Sequence, residues 1–69
     1  MASDIKYLVI ENLMGGVAWI HYEFDDKQSA TSKYEEINKK SSNVNFQVLE
    51  ITKEDLNHDL DNGTLQYLN

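Results

Sequence analysis

Cysteine and arginine are both absent from this chain of 69 residues. The lack of cysteine excludes disulfides and the commonest zinc sites, and it fits a reducing cytoplasm. The lack of arginine removes the usual bidentate recognition of phosphate. With 6 basic residues against 12 Asp and Glu, the formal net charge is −6. Such a field repels nucleic acid and anionic membranes, so any charged partner is expected to be basic. Long apolar runs are missing too: nothing approaches the roughly 20 residues that span a bilayer, and the first residues lack the basic and apolar regions of a signal peptide. The expectation is a soluble, cytoplasmic protein.

A chain this short forms one domain, residues 1–69, and buries only about 60% of the surface that its unfolded form exposes. Small domains compensate with disulfides, a structural metal or a partner subunit. With the first remedy excluded, a homodimer is the favoured expectation.

The run from Val17 to Asp26 organises the rest. Ala18, Ile20, Tyr22 and Phe24 form an apolar face of period two, while Trp19, His21 and Glu23 point the other way, as a half-buried strand requires. Ile5 to Glu11 reads as a second strand, whose Leu8-Val9-Ile10 run suggests cover on both sides. Gly15-Gly16 joins the two as a hairpin turn; a phosphate-cradling loop would need a helix start or Lys-Ser/Thr after the glycines. At Asp25 the period changes to that of a helix. Asp25 with Gln28 makes a capping-box pattern, Ala30, Tyr34 and Ile37 share a stripe, and Glu35/Lys39 and Glu36/Lys40 are spaced for ion pairs over a helix from Gln28 to Lys40.

After a Ser-Ser-Asn loop, Val44 to Thr52 is a third strand with Val44, Phe46 and Val48 on one face. Its alternation breaks at Leu49, through either a bulge or a second apolar surface shared with Trp19. Thr52 then caps a short acidic helix from Lys53 to about Asp61, and Asn62-Gly63 ends it. The tail from Thr64 either docks through Leu65, Tyr67 and Leu68 or adds an edge strand. The predicted fold is α+β, of order β-β-α-β plus a short C-terminal helix: an antiparallel sheet of about three strands with one helix on one face. Its core would be Ala18, Ile20, Tyr22, Phe24, Ala30, Tyr34, Ile37, Val44, Phe46 and Val48.

No constellation of a known catalytic chemistry is present, and no enzyme is expected. Glu54, Asp55, Asn57, His58, Asp59 and Asp61 suggest a calcium loop, but one starting at Asp55 would need Gly and Glu where Leu60 and Gln66 stand. Neither a metal nor a cofactor is expected. His21 and His58 are too isolated to read as general bases. Trp19, on the strand face away from the helix, is either capped by the C-terminal segment or part of an interface. The carboxylates are either solubilising charge or an acidic patch that fits a basic groove.

Asp26-Lys27-x-x-Ala30-x-x-Lys33-Tyr34, preceded by a strand ending in Tyr22-x-Phe24 and followed by another strand, resembles small bacteriophage-type proteins over about half of the chain. A short, acidic chain without catalytic motifs is also similar in type to phage-encoded inhibitors of host defence, including anti-CRISPR and anti-restriction proteins. Exclusion and electrostatics, together with this similarity in type, lead to the expectation of a non-catalytic inhibitor that blocks a basic nucleic-acid-binding surface of a bacterial host enzyme, as a DNA mimic does, without binding nucleic acid itself. The expected partner-binding residues are Trp19, His21, Glu23, Glu50, Glu54, Asp55, Asp59, Asp61 and Tyr67. The alternative is an oligomer that binds or sequesters a nucleotide-like small molecule near Trp19, His21 and Gly15-Gly16.

Overall fold

The order of elements in the computed structural model, which describes residues 4–40 and 45–68, is β1 (Ile5–Asn12), β2 (Ala18–Phe24), α1 (Lys27–Lys40), β3 (Phe46–Thr52), α2 (Lys53–Asn62) and β4 (Leu65–Tyr67). One sheet holds all four strands in the order β3-β1-β2-β4. β1 runs antiparallel to both β2 and β3, and β4 is parallel to β2, so the sheet is mixed. The tail therefore adds an edge strand, and the antiparallel sheet with one covered face is corrected to a four-strand mixed sheet covered on both faces.

Local chemistry explains most boundaries. Gly15 and Gly16 take φ of 87° and 79° in the β1–β2 turn, a region closed to most side chains. Asp26 caps α1, accepting from Ser29 N–H at 2.8 Å and from Ser29 Oγ at 2.9 Å. The expected cap, Asp25, instead bonds Lys6 of β1, and the helix starts at Lys27. Along α1, Glu36 pairs with Lys40 at 3.8 Å and with Lys33 at 3.3 Å. Thr52 caps α2 by accepting from Asp55 N–H at 3.0 Å, and Gly63 ends it with φ of 86°.

The faces of the sheet depart from simple alternation because of one residue. In the β1–β2 register, Ile10 pairs with Ile20 and Val9 with Tyr22, leaving His21 as an extra residue in β2. A bulge of this kind shifts the phase of the strand by one. Ala18 and Ile20 consequently lie on one face with Leu8, Ile10, Leu49 and Ile51, whereas Tyr22 and Phe24 lie on the other with Tyr7, Val9, Phe46 and Val48. Trp19 pairs with Glu11 and shares this second face.

Each face has its helix. Leu56 of α2 completes a buried cluster with Leu8, Ile10, Ala18, Ile20, Ile51 and Leu65, against which Leu49 and Leu60 pack. α1 covers the opposite face, where Val9 and Ala30 are fully buried. The expected single core beneath α1 is thus corrected: Ala18 and Ile20 belong under α2, and Tyr22 is exposed. Phe24, Tyr34, Ile37, Phe46 and Val48 are half-buried, and Val44 lies outside the described residues. Of the two readings of Leu49, the bulge is not there and the second apolar surface is: Leu49 and Ile51 face α2, with Trp19 on the opposite face. β3 pairs with β1 in unbroken register, and both of its faces are apolar because both are covered.

The two crossovers follow from one rule. From β2 through α1 the chain moves across the sheet to β3, and from β3 through α2 it moves back to β4. Connections of the same hand that travel in opposite directions place their helices on opposite faces, as here.

Candidate protein-binding surface

α2 presents the densest charge. Its carboxylates Glu54, Asp55 and Asp61 are exposed and Asp59 is half-buried, while Leu56 and Leu60 turn inward. None of the four enters an ion pair among the described residues. Glu54 and Asp55 stand in the first turn, where the helix dipole favours anions. Asp59 and Asp61 stand near the other end, and the last turn carries no basic residue. That placement opposes the dipole, so helix stability does not account for it.

A second polar group ties three strands together. Glu23 of β2 accepts from Tyr67 Oη of β4 at 2.7 Å and lies 3.6 Å from Lys6 Nζ of β1, which also bonds Asp25. The Glu23 hydrogen bond, together with partial burial, raises the Tyr67 phenol above its ordinary pKa. The hydrogen bond from Lys6 lowers the Asp25 carboxyl, and the same bond raises Lys6.

His21, the bulge residue, has its ring edge-on to Phe46 with centroids 4.7 Å apart, and its Nε2 is 3.0 Å from Glu11 Oε1. Its partner is therefore Glu11, and the bulge sends Glu23 to the other face, so the two do not point the same way as strict alternation would have them. Trp19 is 37% exposed on the α1 side, a correction of its expected place away from the helix. The sheet face away from α1, where Trp19 was expected to be capped or to form an interface, is filled by α2. Glu50 pairs with Tyr7 on edge strand β3.

The expected binding residues therefore divide. Glu23 and Tyr67 touch each other and share a sheet face with α2, which carries Glu54, Asp55, Asp59 and Asp61. Trp19, His21 and Glu50 lie on the α1 side. Chain spacing does not single out Lys6 and Asp25 as part of the polar group, since the contact is made only when β1 pairs with β2.

No group of three or more His, Asp or Glu able to hold a metal occurs among the described residues. No helix among them is long and apolar enough to cross a membrane. One open groove of about 380 Å³ lies between β2 and α1, lined by Phe24, Asp26, Ser29, Ser32, Lys33 and Glu36. It is distant in the sheet from Gly15-Gly16, where the small-molecule site was expected. Comparisons with protein-family models, curated proteins and solved structures found no match to this chain.

Proposed function

We propose that this chain is a non-catalytic inhibitor whose acidic α2 seats on a Lys-lined or Arg-lined surface of another protein, a surface that otherwise holds nucleic acid. The observation that carries this reading is the C-terminal half of α2: Asp59 and Asp61 sit where the dipole disfavours them, with no cation in the last turn. A local rule broken with no ion pair to offset it among the described residues is a mark of selection for something other than folding. Support comes from the chain's net charge of −6, which steers it toward basic surfaces and away from phosphates. The host is bacterial and the source a phage in this reading, following the resemblance in type.

Capture of partners from a bacterial lysate at low and at high salt tests it. A nucleic-acid enzyme should be recovered, released by salt, and lost with the triple substitution Asp55→Asn, Asp59→Asn and Asp61→Asn. Recovery of nothing, or of a partner indifferent to both salt and substitution, would overturn the proposal.

A further inference from the structure

β2 is seven residues long, but β4 accompanies only its first part, pairing Leu65, Gln66 and Tyr67 with Ala18, Trp19 and Ile20. The last main-chain bond on that side runs from Leu68 N–H to Ile20 O at 3.3 Å. From His21 to Phe24 the outer edge of β2 has no strand beside it among the described residues. Such an edge is a template for one more strand, because its main-chain groups gain partners when an extended segment lies along it.

The groove between β2 and α1 flanks this edge. Phe24 forms one wall and Lys33 and Glu36 line the α1 side. Tyr22, 42% exposed, stacks on Phe24 with ring centroids 6.4 Å apart. Side chains from one side of an added strand would enter there, with aliphatic stems on the two rings.

Charge selects the occupant. In the groove, Asp26 and Glu36 face a single lysine, Lys33, which already lies 3.3 Å from Glu36 and 4.9 Å from the Tyr22 ring centroid. On the other face of the edge, Glu23 and Asp25 share Lys6. A second copy would set these carboxylates against their own equivalents, and like charges opposed across strands are destabilising. A cationic segment meets complementary charge on both faces.

We propose that the open edge of β2 over His21–Phe24 binds an extended basic peptide segment of another protein by strand addition, its alternate side chains reaching the Phe24/Glu36 groove and Glu23. This goes beyond the α2 reading and uses a different surface. The probe is a blocked synthetic peptide of alternating Lys and Val, titrated into the full chain and followed by amide shifts.

Saturable shifts centred on His21–Phe24 and on the groove side of α1 are expected. The same peptide N-methylated along its pairing edge should bind about tenfold more weakly or worse, because it loses the main-chain bonds to β2. A Glu/Val peptide should not bind, and Glu36→Lys should weaken the Lys/Val peptide severalfold. Equal binding of the N-methylated or the acidic peptide would overturn the proposal. So would sedimentation showing that the edge is occupied by a second copy. Shifts along α2 in place of β2 would also overturn it while leaving the α2 reading standing.

Discussion

Tyr67 and Glu23, 44 residues apart in the chain, are joined by a 2.7 Å hydrogen bond that fastens the last strand to the middle of the sheet. β4 has only three residues, so main-chain pairing alone holds it weakly, and the phenol and the buried Leu65 supply the rest. Tyr67→Phe should cost about 1 kcal/mol in denaturant unfolding and speed amide exchange over Leu65–Leu68. The pH dependence has a definite sign. The phenol is raised in the folded chain, so its contribution is present below its ordinary pKa near 10 and is lost as pH rises through the higher folded value. The difference in stability between Tyr67→Phe and the parent should therefore shrink in strong alkali. A difference that is constant across that range would mean the bond does not act as described.

Leu65 is the apolar half of the same attachment. It is 3% exposed in the cluster beneath α2, and its loss would leave a cavity shared with Leu56 and Ala18. Leu65→Ala should cost about 2–5 kcal/mol. A domain of this size has only about 3–5 kcal/mol to lose. The variant should be largely unfolded at room temperature by circular dichroism, whereas Leu68→Ala, at a 46% exposed position, should melt close to the parent.

Asp25 and Asp26 are adjacent and do different things, so they make a paired test. Asp26→Ala removes the α1 cap and should cost about 1 kcal/mol. Asp25→Ala removes only an exposed ion pair with Lys6 and should cost less. Its signature is in acid: the Asp25 carboxyl is lowered, so its contribution is present above about pH 4 and is lost as pH falls through the depressed folded value. Lys6 is raised, so its own contribution fades only in strong alkali. Acid titration of stability in the two variants separates the roles; a larger loss from Asp25→Ala than from Asp26→Ala would reverse the assignment of the cap.

Every element but β4 was legible from the sequence. The change of period at Asp25 marks α1, Thr52 and Gly63 bracket α2, and the two glycines after Met14 mark the hairpin. The Leu8-Val9-Ile10 run suggests cover on both sides, and all three residues are buried, Leu8 and Ile10 toward α2 and Val9 toward α1. The assignment of faces was not legible, because it turns on one unpaired residue. Ala18, Ile20, Tyr22 and Phe24 keep strict alternation on paper, and the bulge at His21 divides them between two cores. β4 is too short for periodicity to reveal. The acidic face of α2 could be read directly, since its members are neighbours in sequence, but Glu23–Tyr67, Lys6–Asp25 and His21–Glu11 exist only through strand pairing.

Asp59 and Asp61 offer the sharpest separation of folding from binding. Both carboxylates oppose the negative end of the α2 dipole, and no lysine in the last turn offsets them. Replacing them together, Asp59→Asn and Asp61→Asn, should raise stability by about 0.3–1 kcal/mol, with the gain shrinking in high salt. The same replacement should weaken capture of a basic partner, because it removes two of the charges that the proposed interface uses. Effects of opposite sign on stability and binding are what a functional charge placed against local preference produces. Denaturant unfolding of the double variant, run beside the capture assay, measures both; a loss of stability would mean that the two carboxylates serve the fold, and unchanged capture would remove them from the interface.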